Sequence, residues 1–297
     1  MIDVGDREIN NKLAVSAPTI YHYTSSDVLP VFFDENADLY CTNSKCLNDP
    51  TELLVGTFHF VDYIKANGWL DEGHARLLKI NIQESIQQDW FDAWIMSLTE
   101  LKDDLSQWRG YVPGKKGGYA IGFNTGKLVD ALKKLTRNEM IKGINKIPIL
   151  TRCWYVEQNK ADIAMLYKSM LAKYGSDIKQ YQGEKKISPE TARSVLATIF
   201  PMAMHIKHNA FWQEKESRII VTVPGCDYSK VKILGGKPRI PLGIPLLGIK
   251  LHTLIDRIVV SPHGDKTLLY EQVKWLKNRE GADFDIVQSE IPYDPSR

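Results

Sequence analysis

Two runs of strand-forming residues constrain this chain most: Trp94-Ile95-Met96-Ser97-Leu98 and Gly118-Tyr119-Ala120-Ile121-Gly122-Phe123. Both read as buried strands. Between them lie a short helical turn with Gln107, Trp108 and Arg109 and a basic loop, Pro113-Gly114-Lys115-Lys116-Gly117-Gly118. A rigid pair of strands joined by a polar, aromatic and glycine-rich segment is a scaffold that can present a site. The alternative is a surface connection whose Trp and Arg only pack.

The remaining elements follow from periodicity and punctuation. Thr19–Thr24, rich in β-branched and aromatic residues, reads as a strand. Ser25-Ser26-Asp27 offers capping oxygens to a helix carrying Val28, Leu29, Phe32 and Phe33. Strands are expected at 38–43, 147–150, 153–156, 218–223, 254–260 and 284–287, with short ones near Ile240 and Leu246. Helices are expected from Pro50 to Ala66, 71–88, 125–135, 161–174, 189–211 and 266–278, and an exposed loop at 175–186. Residues 1–18 lack periodicity and are expected to form a loosely held arm, followed by a single domain over 19–297. Strands and helices do not alternate, which argues against a doubly wound parallel sheet. The expected class is α+β with inserted helices.

Composition narrows function only by exclusion. Net charge is +2 over 297 residues, so a nucleic-acid partner has no global electrostatic case, although a local basic patch can still serve one. No apolar run is long enough to span a bilayer, and the N-terminus lacks a signal-peptide core, so the expected location is cytoplasmic with no membrane partner. Cys41, Cys46, Cys153 and Cys226 read as reduced thiols, because Cys41 and Cys46 lack the second pair a structural zinc site needs. Neither GxGxxG nor GxxxxGK[ST] occurs.

Three segments carry candidate chemistry. His22 and Thr24 share a strand face and can hold a ligand, or His22 can be satisfied by the backbone. Glu214 and Glu216 lie on one side if their segment is extended. One carboxylate can then stabilise positive charge on a sugar carbon while the other orients a nucleophile, and Trp212 adds a stacking wall. The alternative is a solvated turn, or ion pairing with Lys215 or Arg218. In Ser106–Tyr111, Arg109 can take a phosphate in a bidentate fork or act as a structural ion-pair partner. Asn48, Asp49 and Glu52 read as turn and capping residues. His205 and His208, three apart on the expected helix, lack further metal ligands, and His263 reads as a turn residue.

The ordered set Ile20-Tyr21-His22-Tyr23-Thr24-Ser25, Leu47-Asn48-Asp49-Pro50-Thr51-Glu52, Ser97-Leu98-Thr99-Glu100, Leu105-Ser106-Gln107-Trp108-Arg109-Gly110-Tyr111, Gly122-Phe123 and Glu214-Lys215-Glu216-Ser217-Arg218 resembles the bacterial domain of unknown function 2971 family. The resemblance runs from Tyr21 to Pro262. Where relatives often have an aromatic before the arginine, this chain has Ser217. A weaker likeness links the layout to ADP-ribosyltransferases, especially toxin and phage-defence types. It implies a split mixed or antiparallel sheet and NAD as co-substrate, with no metal. Carried over, it implies that His22 holds the nicotinamide ribose or amide and that Tyr40 or Tyr119 faces the ring. Tyr23, Thr24, Trp108 and Arg109 would complete the NAD site. Glu216 would bind the ribose 2′-hydroxyl and stabilise the oxocarbenium-like transition state, with Glu214 orienting the acceptor. The acceptor would be a nucleic-acid base sooner than a protein side chain, approached past Lys115, Lys116, Lys142 and Lys146, and a neutralising antitoxin is a further implied partner. The other readings are a non-catalytic nucleotide- or nucleic-acid-binding sensor on the same scaffold, and a nuclease or glycosidase-like hydrolase using Glu214 and Glu216.

Overall fold

The computed structural model describes residues 7–47, 52–87, 93–112, 114–141, 147–183, 199–200, 202–222 and 230–293. Its strands are β1 (Thr19–Ser25), β2 (Tyr40–Asn43), β3 (Ala93–Thr99), β4 (Gly118–Asn124), β5 (Ile147–Arg152), β6 (Trp154–Tyr155), β7 (Ile206–Lys207), β8 (Glu216–Thr222), β9 (Lys232–Leu234), β10 (Lys237–Pro241), β11 (Ile255–Val260) and β12 (Asp285–Gln288). Ten of them form one sheet with the backbone order β12-β11-β4-β1-β3-β2-β10-β9. In it β8 lies between β3 and β5, and only β11–β12 is parallel. The fold is mixed α+β.

Side-chain alternation builds two large cores, one on each face, beside a smaller cluster of Tyr21, Tyr23, Trp108, Val112, Ala120 and Val259. Trp94, Met96 and Leu98 of β3 pack with Tyr119, Ile121 and Phe123 of β4 and with Ile219 and Val221 of β8. Helices Thr125–Ile141 and Lys266–Glu280 cover them through Leu128, Leu132, Leu269 and Val273. Residues of opposite parity, Ala93, Ile95 and Ile220, meet helices Glu52–Ala66, Glu72–Gln87 and Lys160–Gly183. Along that second face the apolar residues give way to Ser97 and Thr99 on β3 and to Arg218 and Glu216 on β8, which stand opposite one another in register. A sheet face that turns polar while still buried is where a site can form.

The sheet opens at the same place. β1 and β3 are paired at a single position, Tyr21 opposite Thr99, whereas farther along β3 the neighbour is β2, at Ile95 and Trp94. His22 bridges the opening through Nδ1, 3.1 Å from the Ser97 carbonyl oxygen. A carbonyl only accepts, so Nδ1 carries the proton.

Several expectations are corrected. Residues 7–13 are a helix, not a loose arm, because Ile9 and Leu13 are buried in the second core. The helix expected at 161–174 continues to Gly183 through the stretch read as a loop. Of the helix expected at 189–211, residues 206–207 instead form β7 and 209–211 begin a 3-10 helix, Asn209–Glu214, while 189–198 and 201 lie outside the described residues. Leu246 belongs to a 3-10 helix, Ile244–Leu247, not a strand. In the basic loop, Gly117 and Gly118 are required by close packing. A Cβ on Gly117 would lie 2.5 Å from the His263 carbonyl oxygen, and one on Gly118 would lie 2.2 Å from that of Thr24. Asn48, Asp49, Pro50, Lys142, Lys146 and Cys226 lie outside the described residues.

Candidate functional site

A cavity of about 670 Å³ occupies the opening between β1, β2 and β3. Tyr21 to Ser25 line one wall, Ile95 to Thr99 another, and Tyr40, Thr42, Lys237 and Arg239 a third; Gln107, Tyr111, Glu52, Lys207, Glu214 and Glu216 close it.

The polar end is an ionic cluster. Glu216 Oε1 accepts from Arg218 Nε at 2.8 Å, and Oε2 accepts from Arg218 Nη2 at 3.1 Å and from Lys207 Nζ at 2.5 Å. Arg218 Nη2 also donates to Glu52 Oε1 at 2.8 Å, and its Nη1 to the Met204 carbonyl at 3.0 Å. Lys207 Nζ donates to Glu214 Oε2 at 2.6 Å. Arg218, Glu216, Lys207 and Glu52 are all buried, whereas the Glu214 side chain keeps 23% of its exposure. Burial opposes ionisation of Glu216, but the charges of Arg218 and Lys207 and their hydrogen bonds outweigh it and bring its carboxyl down to about 2. Burial likewise opposes the charge on Lys207, and Glu216, Glu214 and Glu52 outweigh it and push the ammonium up.

The backbone between the two glutamates is not extended. Lys215 has φ 42° and ψ 48°, a left-handed conformation that ends the 3-10 helix before β8. A non-glycine residue held there stores strain, a feature that concentrates at functional sites. The turn lets both carboxylates reach one ammonium, and Thr99 Oγ1 pins it by donating to the Glu214 carbonyl at 2.6 Å.

The aromatic wall is less charged. Desolvation lowers the His22 pKa, with Arg239 adding to the effect against the Ser97 hydrogen bond, so the ring is neutral. With Nδ1 protonated, Nε2 keeps a lone pair for a ligand donor. Tyr111 is pushed up to about 12 by burial, then by Glu214 and Glu216, and stays a hydroxyl donor. A second cavity of about 570 Å³ lies beyond Glu216, with Trp212, Lys215, Arg152 and Asn159 among its walls.

The cavity therefore brings together His22, Tyr23, Thr24, Tyr40, Glu214 and Glu216 of the expected residues. Three others fall elsewhere. Trp108 is fully buried, edge-on to Tyr23, with Nε1 donating to Asp103 Oδ1 at 2.6 Å. Arg109 is on the outer side of helix Leu105–Tyr111, its guanidinium 5.1 Å from the Tyr293 ring centroid. Tyr119 points into the first core, where its hydroxyl donates to the Leu269 carbonyl at 3.1 Å and lies 2.9 Å from Gln272 Oε1. His205 and His208 do not share a helix face: His205 is buried with Nδ1 3.0 Å from Thr151 Oγ1, and His208 caps the 3-10 helix. His263 is buried and donates through Nε2 to the Val112 carbonyl at 3.0 Å.

Residues not assigned to the site from the sequence complete it. Gln107, Gly110 and Tyr111 line it at i, i+3 and i+4, one face of the short helix, and this spacing was readable. Glu52, read from the sequence as a turn and capping residue, instead accepts from Arg218 in the buried cluster, and Lys207 and Arg239 had no local signal. Among the described residues no helix is long and apolar enough to cross a membrane, and no group of three or more His, Cys, Asp or Glu is arranged to hold a metal.

Residues 107–219 match the model of a protein family of unknown function, DUF2971. That span begins at the Gln107–Tyr111 face and ends just beyond Arg218. No curated protein and no solved structure matches the chain significantly.

Proposed function

We propose that the cavity is the donor site of an ADP-ribosyltransferase that takes NAD, acting as a toxin or antiphage effector on a nucleobase or protein acceptor. The observation that carries this reading is the meeting of neutral His22, Tyr40 and Tyr111 with the Glu214–Glu216 pair in one cavity. Its volume falls within the roughly 300–1,000 Å³ typical of ligand pockets.

In this reaction the bond from ribose C1′ to the nicotinamide nitrogen breaks and its electron pair leaves with nicotinamide. Positive charge spreads over C1′ and the ring oxygen until an acceptor oxygen or nitrogen bonds to C1′ and gives up its proton. A carboxylate fixed in place beforehand stabilises that charge without reorganising. Glu216 is held ionised for this role, and the more exposed Glu214 is placed to take the proton. His22 Nε2 accepts from a ribose hydroxyl or the amide, and Tyr40 offers a ring face. Trp212, 46% exposed in the cavity beyond Glu216, offers a stacking surface to an acceptor base.

One observation favours a second reading, a sensor that binds a nucleotide without turnover: both Glu216 oxygens are already engaged by internal cations. The two separate in one assay, nicotinamide release from labelled NAD by the purified chain, with and without RNA, DNA or lysate. The transferase reading expects release with label transfer to one acceptor, reduced on the order of 10²- to 10³-fold in Glu214→Gln and Glu216→Gln. Binding of NAD without release under any condition would sink it in favour of the sensor.

A further inference from the structure

The cavity has a second pole, opposite in sign to the glutamates and unused by the chemistry above. On the β9–β10 hairpin Arg239 stands directly across from Lys232, and Lys237 lies two residues before Arg239 on the same face. Arg239 is also in register with Thr42 of β2, so this face continues into the cavity wall, where Lys237, Arg239, Thr42 and Tyr40 are all found. Like charges directly opposite on paired strands repel. Lys232 reaches across β10 to β2, donating to the Tyr40 hydroxyl at 3.1 Å with its ammonium 5.5 Å from the ring centroid. Arg239 Nε is buried with no hydrogen-bond partner among the described residues, a cost a folded chain rarely carries without a use. Gly235 and Gly236, at φ 60° and 74°, make the tight turn that carries this cationic face.

We propose that this hairpin wall is a pyrophosphate site, with Arg239 and Lys237 as its ligands and a nucleoside diphosphate or dinucleotide as its occupant. Arg presents a planar fork suited to phosphate oxygens, and two cations on one strand face match two linked phosphoryl groups. A ligand with an anionic middle and a group that develops positive charge at one end fits a cavity whose poles are Arg239 and Glu216. The assignment deepens the transferase reading, since NAD has that shape, but it requires only that the pyrophosphate binds.

Calorimetric titration of the full chain with ADP-ribose, inorganic pyrophosphate and adenosine tests it. ADP-ribose and pyrophosphate are expected to bind and adenosine not to. Arg239→Gln and Lys237→Gln are each expected to weaken ADP-ribose roughly 10- to 100-fold. Arg239→Lys should recover only part, because the fork is lost, and Lys133→Gln, far from the hairpin in sequence, should change nothing. If Arg239→Gln fails to fold, Lys237→Gln carries the test. Undiminished ADP-ribose affinity in the folded variants would overturn the site, as would binding of a single-stranded oligonucleotide with none of ADP-ribose. ADP-ribose binding that depends on Arg239, in a chain releasing no nicotinamide from NAD, would support the site and refute the transferase reading.

Discussion

Replacing each glutamate of the pair by glutamine separates architecture from chemistry. Glu216 is buried, and its oxygens take three hydrogen bonds from two cations. The amide introduced by Glu216→Gln would keep one acceptor oxygen and turn an N–H₂ group toward a guanidinium that is 1% exposed. Leaving a buried charge without its partner typically costs about 3–5 kcal/mol, and Arg218 would keep Glu52 as its one carboxylate partner among those described, beside the Met204 carbonyl. Against a total stability of about 5–15 kcal/mol, that is a large fraction. Glu214 gives one oxygen to Lys207 and is partly exposed, so its replacement should cost about 1 kcal/mol or less. Urea unfolding followed by tryptophan fluorescence reads both, since Trp94 and Trp108 are buried. Glu216→Gln should move the midpoint far more than Glu214→Gln. Equal shifts, or a Glu216→Gln cost below about 1 kcal/mol, would refute the account of the ionic cluster. Loss of activity in Glu214→Gln is then the cleaner sign of chemistry, because that variant stays folded.

Three further outcomes follow from the same geometry. The Glu216 carboxyl lies at about 2 in the folded chain against about 4.3 unfolded. Its contribution, on the order of 3 kcal/mol, is present above pH about 4.3 and is lost as pH falls through about 2; unfolding free energies measured down that range should show a slope that Glu216→Gln lacks. Lys215→Gly relieves the left-handed backbone and should leave stability unchanged or raised by up to about 1 kcal/mol, while a β-branched Lys215→Val should lower it, both read from thermal melts. Gly56→Ala places a Cβ 2.5 Å from the Ala203 carbonyl oxygen; forcing the Glu52 helix away from the Lys207 segment should cost about 1–3 kcal/mol and reduce nicotinamide release, and a variant as stable as the native chain would contradict this contact.

The legible parts of this fold are those whose signal is local. Alternating β-branched and aromatic residues marked β1, β3, β4, β8 and β11, because burial of one or both faces writes itself into successive residues. The expected glutamates and His22 reach one cavity for a related reason: His22 lies within β1, and Glu214 and Glu216 lie just before and at the start of β8, both strands visible in the sequence. The position of the opening between β1 and β3 has no local signal, since it depends on which strand β3 meets along its length, and that is settled by β2 and β10 from distant parts of the chain. Lys207 was hidden because an apolar-polar rhythm from 189 to 211 reads as a helix. The chain instead forms the two-residue strand β7 beside β6, and that brings the ammonium to Glu216. Trp108 and Arg109 illustrate the opposite error. They were chosen for their chemistry, but on one turn of helix the face that shows Gln107 and Tyr111 to the cavity turns Trp108 inward and Arg109 outward. Residue type nominates a site, while backbone geometry decides membership. That is why Arg239, which no motif marks, has the stronger claim to a phosphate than Arg109: its register on β10 puts it in the cavity wall, with a buried Nε that has no hydrogen-bond partner among the described residues.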